Sequence, residues 1–161
     1  MKYLIISDLH LSKPNKIPEI IINLAKEMKG IICAGDLTSK TVLEKLKEIN
    51  KNLIVVKGNC DYLDLPEYLE FKIENKKIGV IHSNQFGRGN FEKIEEFANS
   101  KKLDVLIFGH THQPLMEKKG NLLLINPGTL TGAVSGDGTK TEKTWVILEI
   151  GKEINAKINR L

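Results

Sequence analysis

Five short apolar runs set the possibilities for this chain. Tyr3–Ile6, Ile31–Ala34, Leu53–Val56, Ile78–Ile81 and Val105–Phe108 are rich in aliphatic residues, and none alternates polar with apolar. Alternation is the mark of a strand with one wet face, whereas a continuous run of this length suits a strand buried on both faces. Helical patterns lie between the first few runs. Ile17, Ile20, Ile21, Leu24, Ala25 and Met28 follow i, i+3, i+4, i+7 spacing, which predicts a helix over Ile17–Lys29 with Pro18 in its first turn and Gly30 ending it. A second helix is expected from Ser39, an N-cap, to Asn50. A third starts after Asn90 with Phe91, Ile94, Phe97 and Ala98 on one face. Strand–helix alternation predicts a largely parallel sheet covered by helices.

The last third changes character. Leu115–Lys118, Asn121–Asn126, Thr144–Ile150 and Glu153–Asn159 read as strands, with Lys119-Gly120 and Gly151-Lys152 as hairpin turns. A βαβ front and an all-β back predict an α/β fold of two packed mixed sheets flanked by helices, an αββα sandwich of four layers. The Gly/Ser/Thr-rich stretch Thr129–Lys143 reads as a mobile loop, and the lysine-rich segments around Lys45–Lys51 and Lys72–Lys77 as solvated faces. A chain of 161 residues is most simply one domain, residues 1–161. No apolar stretch approaches the roughly 20 residues that cross a bilayer, and the first run is too short for a secretory signal, so a cytoplasmic protein is expected. Cys33 and Cys60 offer no disulfide framework. A net charge of +4 favours an anionic substrate without arguing for nucleic acid.

The chemistry sits where the runs end. All four histidines, His10, His82, His110 and His112, lie at or just beyond apolar runs, beside Asp or Gly. In order the chain gives Asp8-Leu9-His10, Gly35-Asp36, Gly58-Asn59-Cys60-Asp61, His82 and Gly109-His110-Thr111-His112. Ligands of open α/β sheets bind beyond the carboxyl ends of the strands. Five exits on one edge of a sheet therefore gather Asp8, His10, Asp36, Asn59, His82, His110 and His112 into one cleft. Imidazole and carboxylate are the ligands of borderline divalent ions.

This order of motifs resembles the calcineurin-like metallophosphoesterase superfamily, whose signature is D-x-H, G-D, G-N-H-[DE], a later His, and G-H-x-H. The likeness runs from Asp8 to Asn126-Pro127-Gly128-Thr129, and the small size and the G-N-C-D variant look most like its YfcE-like phosphodiesterase branch. The resemblance implies that Asp8, His10 and His112 bind one metal, that Asp36 bridges two, and that Asn59, His82 and His110 complete the second site. It implies two divalent transition-metal ions, manganese foremost with Ni, Fe, Co or Zn as alternatives, about 3.5–4 Å apart and arming a hydroxide for in-line attack on a small phosphoester. Catalytic roles then fall to Asn59, Cys60 and His82. No membrane partner is implied, nucleic acid is not expected, and a homodimer is compatible with the chain but not decided by it.

Two positions depart from the pattern. Cys60 stands where most relatives have His near the leaving group. Either it donates a proton less well, favouring activated esters, or it only lines the pocket. Ser83-Asn84 follows His82 where relatives often have Gly-His. Asp61 either orients Asn59 or caps a turn, Asn126 and Gly128 shape a turn near the site, and Gly87-Arg88-Gly89 is either a phosphate nest or a plain loop. Two alternatives to a phosphodiesterase stand. One is a scaffold like the similarly laid-out retromer subunit of eukaryotes, whose matching segments lack some ligands. The other is a phosphomonoesterase or nuclease of the same superfamily.

Overall fold

In the computed structural model, which describes residues 1–161, the apolar runs pair into two five-stranded sheets. The first has the order β10-β9-β1-β2-β3, from β1 (Lys2–Ile6), β2 (Gly30–Cys33), β3 (Leu53–Val55), β9 (Thr144–Ile150) and β10 (Ile154–Arg160). Its centre is parallel, with Ile5 opposite Ile32 and Ile32 opposite Ile54, while β9 and β10 run antiparallel. The second has the order β4-β5-β6-β8-β7, from β4 (Tyr68–Ile73), β5 (Lys76–Ile81), β6 (Val105–Ile107), β7 (Leu115–Lys119) and β8 (Leu122–Asn126). Here β5, β6 and β8 are parallel, and β4 and β7 are antiparallel edges.

The lack of alternation in the central runs now has its cause. Along β1, Leu4 and Ile6 face α1 (Glu19–Glu27) and α2 (Lys40–Ile49), while Tyr3 and Ile5 face the second sheet. Ile31 and Cys33 point to the helices, and Ile32 and Ala34 point between the sheets. On the far side Ile94 and Ala98 of α3 (Phe91–Ser100) cover Leu106, Phe108 and Leu124. The layers are therefore α1/α2, sheet, sheet, α3, the expected αββα sandwich.

Local details refine the expectations. Pro18 is the N-cap of α1 rather than a residue inside Ile17–Lys29, and the helix ends at Glu27. Gly30 does not end that helix; it opens β2, where a Cβ would press on the Asn52 backbone at 2.6 Å. Ser39 is the N-cap of α2 but bonds Thr41 Oγ1 and the Ser12 carbonyl instead of the helix amides, whereas the Asn90 side chain accepts from Lys93 N and caps α3. The hairpin β4–β5, turning at Glu74-Asn75, was not foreseen. Its lysine-rich stretch is not only a solvated face: Lys72 pairs with Lys77 across the ladder, and Ile73 is buried between the sheets.

The inter-sheet layer is one of the buried apolar cores that hold the fold together. Ile32→Ala, at a fully buried position of that layer, is expected to cost about 2–5 kcal/mol through lost transfer energy and a residual cavity. Urea denaturation should show a lower midpoint at unchanged slope.

Candidate metal centre

The exits of β1, β2 and β3 in one sheet face those of β5 and β6 in the other, and the candidate residues lie on these turns. The cleft is thus built between two sheets rather than along one edge of a single sheet. The turns are sharp. Asp8, His10, Asp36, His110 and His112 all have positive φ, between 46° and 71°. Non-glycine residues adopt this region rarely, at a cost on the order of 1–3 kcal/mol each. The neighbouring glycines are required by close approach. A Cβ on Gly58 would strike Asp36 Oδ1, and one on Gly109 would strike Ser7 Oγ.

Each key group is anchored at one atom and free at another. Asp8 Oδ2 accepts from Ser7 Oγ at 2.6 Å and from His110 N at 3.1 Å. Its Oδ1 is buried and receives no hydrogen bond. Asp36 Oδ1 accepts from Cys60 N at 2.8 Å, leaving Oδ2 3.4 Å from His82 Nε2 and 3.5 Å from His10 Nε2. His82 Nδ1 lies 2.7 Å from the Ala34 carbonyl, and His112 Nδ1 2.8 Å from that of Ala133. A carbonyl can only accept, so Nδ1 carries the proton in both rings, and the neutral imidazole presents a lone pair at Nε2.

Those free atoms converge. His112 Nε2 is 3.2 Å from Asp8 Oδ1 and 3.2 Å from His10 Nε2, and Asn59 Oδ1 is 3.2 Å from His82 Nε2. The ligand atoms of Asp8, His10 and His112 form one close group, those of Asp8, Asp36 and His82 a second, and those of His10, Asp36 and Cys60 a third. Lone pairs facing lone pairs at these distances repel unless a proton or a cation lies between them. The unpartnered Asp8 oxygen and the mixed N/O donor set fit a divalent cation. His110 is placed differently: its ring packs edge-on against His82, with centroids 5.3 Å apart, and joins none of the three groups.

The electrostatics agree. Burial alone would lower the pKa of His82 and of His112. For His82 the hydrogen bond to Asp36 and the charges of Asp8 and Asp36 outweigh burial and raise it. For His112 the Asp8 carboxylate and the Ala133 carbonyl do the same. Burial works to raise the Asp36 pKa, but His82, the Cys60 amide and His10 hold it at about 2. His110 is pushed down to about 4 by burial, then by His82 and Arg88. The Cys60 thiol is pushed up to about 11 by burial and by Asp36.

Supporting residues complete the picture. Asp61 makes no hydrogen bond to Asn59. Its carboxylate accepts from Asp36 N, Thr38 N and Gly58 N at 2.7–2.8 Å, tying two ligand turns together. The first part of the Thr129–Lys143 stretch, Thr129–Ser135, is tied to the site by hydrogen bonds. Thr129 Oγ1 donates to the Asp8 carbonyl and Thr131 Oγ1 to that of Leu9, and Ala133 fixes His112. Arg88 crosses to this loop, donating to Ser135 Oγ at 2.7 Å, and Ser135 Oγ donates to the Thr111 carbonyl. Asn126 Nδ2 donates to the Gly109 carbonyl and Thr111 Oγ1, while its Oδ1 accepts from Gly128 N, which shapes the G-H-x-H turn as expected.

Comparison with known proteins agrees with this geometry. Residues 1–153 match the family model of the calcineurin-like phosphoesterase superfamily domain. The chain belongs to the calcineurin-like phosphoesterase superfamily. Among relatives of this superfamily, a probable metallophosphoesterase of Methanocaldococcus jannaschii is 39% identical over 129 residues, covering 79% of this chain and 67% of the relative. A phosphodiesterase of the same organism is 29% identical over 172 residues, covering 92% and 100%. Among solved structures, wild-type Vps29 of Entamoeba histolytica complexed with zinc superposes with a TM-score of 0.85 at 28% identity, covering 100% of this chain and 98% of that one. No helix is long and apolar enough to cross a membrane.

Asp61→Ala would strand three backbone donors, two of them buried, and is expected to cost about 2–4 kcal/mol in urea denaturation. His110 gives a signed pH effect in the metal-free chain. Its pKa is lowered from 6.5 to about 4 on folding, so the unfolded chain binds more protons in that window and stability falls as pH drops through it. The stability difference between wild type and His110→Gln should therefore change between pH 6.5 and 4 and be flat above pH 7.5.

Proposed function

We propose that this chain is a phosphodiesterase of small phosphoesters, acting as one domain over residues 1–161 with two divalent cations held by Asp8, His10, Asp36, Asn59, His82, His110 and His112. When bound, the cations supply a low-pKa water and neutralise charge on the phosphoryl oxygens. The observation that carries the reading is the shared orientation of Asp8 Oδ1, Asp36 Oδ2, His82 Nε2 and His112 Nε2, each free because its partner atom is spoken for. Asp36 Oδ2 lies 3.5 Å from His10 Nε2 and 3.4 Å from His82 Nε2, so this carboxylate would help hold a cation together with either ring. Asn59 offers a neutral amide oxygen, which adds no negative charge against an incoming phosphate.

The remaining residues position and exclude. Asp8, Asp36, His82 and His112 are buried, and His10, Asn59, Cys60 and His110 are the site residues that reach solvent. The Ala34 and Ala133 carbonyls keep both imidazoles in the tautomer that leaves Nε2 bare. Cys60 keeps its proton at neutral pH and is a weak acid beside the Asn59 amide, so leaving groups that need little protonation fit it best.

The likeness to Vps29 lends some weight to the scaffold reading, but no more. Because that neighbour carries zinc, metal content alone does not separate the two readings; turnover does. Protein purified without chelator should carry up to two transition metals per chain by elemental analysis. With added Mn²⁺ it should hydrolyse bis-p-nitrophenyl phosphate roughly 100-fold or more faster than Asp36→Ala, while Cys60→His should gain more on alkyl diesters than on this activated one. Equal rates for wild type and Asp36→Ala would give the chain to the scaffold reading.

A further inference from the structure

Beside Asn59, between the turn after β3 and the turn after β5, lies a recess of about 200 Å³. It is lined by Lys57, Gly58, Asn59, Asp61, Glu67, Asn84 and Gln85, without one apolar side chain. Ligand pockets are ordinarily larger and mostly apolar. The recess adjoins the centre at Asn59, which lines it and whose Oδ1 lies 3.2 Å from His82 Nε2. Asp61 forms part of its wall with its oxygens already taken by backbone amides. The side chains of Lys57, Glu67, Asn84 and Gln85 are not engaged elsewhere in the chain and offer both donors and acceptors.

We infer that this recess receives the leaving group of the substrate, and that the group is a small, uncharged, hydroxyl-rich alcohol such as a polyol or sugar. The inference rests on the phosphoesterase reading above and specifies its substrate class. Three features select it. The walls carry no aromatic face, so a nucleobase would lose the stacking, about 1–3 kcal/mol per base, that nucleic-acid sites provide. Two carboxylates against one ammonium disfavour a second phosphate there. Hydroxyls can satisfy amide, ammonium and carboxylate groups together, whereas an alkyl group would leave them desolvated and unpaired. The one aromatic residue on this loop, Tyr62, is 99% exposed and lines no part of the recess.

Calorimetric titration of the Mn²⁺-loaded protein with inorganic phosphate, n-propyl phosphate, sn-glycerol 3-phosphate and adenosine 5′-monophosphate tests it without relying on turnover. The three organic ligands share the phosphoryl group and differ in the part the recess would hold. Glycerol phosphate should bind at least about tenfold more tightly than propyl phosphate, Gln85→Leu and Glu67→Leu should remove most of that margin at unchanged metal content, and Tyr62→Ala should leave it intact. Metal-dependent phosphate binding with equal affinity for the glycerol and propyl esters would overturn the recess and spare the metal centre. Tighter binding of the adenosine ester that is lost in Tyr62→Ala would also overturn it, in favour of a nucleoside leaving group. Binding of none of the four would remove both the recess and the reading beneath it.

Discussion

The centre depends on tethering at a distance. Two carboxylates and two imidazoles each give one atom to a fixed partner and turn the other inward. Were the tethers absent, the four groups would rotate apart, because their inward atoms repel one another. In the neutral tautomers set by the Ala34 and Ala133 carbonyls, His112 Nε2 faces Asp8 Oδ1 at 3.2 Å and His82 Nε2 faces Asp36 Oδ2 at 3.4 Å, an electrostatic cost that the folded chain meets with left-handed turns and buried amide donors. Such preorganisation leaves little to rearrange when a positive charge arrives.

The tethers come from far away in sequence. Ala34 orients His82, and Ala133 orients His112. Asp61 joins the turn of Asp36 to the turn of Gly58, and Thr129 reaches the Asp8 carbonyl. The parallel pairing β1-β2-β3 and β5-β6 delivers these turns to a common rim, and the continuous apolar packing between the sheets fixes their separation. Fold and site are therefore one construction.

Much of this was legible in the sequence, and the part that was not has a definite cause. The central strands announced themselves because both faces are buried, and the ligand turns because Gly and Asp punctuate the same places. The edge strand β4 escaped notice because Glu70 and Lys72 dilute its apolar residues, leaving a burial pattern typical of an edge. The stretch Thr129–Lys143 has the composition of a mobile loop, and nothing in that composition marks its threonines as contacts. Their hydroxyls instead close hydrogen bonds to β1's exit, a contact set by tertiary placement that composition does not encode. Backbone carbonyls such as those of Ala34 and Ala133 have no side-chain signature at all. The seven candidate side chains stand out by type and order; their unequal placement, with His110 set aside against His82 and Cys60 drawn toward His10 and Asp36, does not.

The gap between the sheets has one further consequence. Asp8, His10 and Asp36 hang from one sheet and His82 and His112 from the other. An ion gripped by both sets would act as a rivet through two plates, so that prising the halves apart would first require ejecting it. Occupancy and resistance to unfolding would then rise together by mass action, and cofactor scarcity would register as fragility of the whole molecule as well as idleness of its centre.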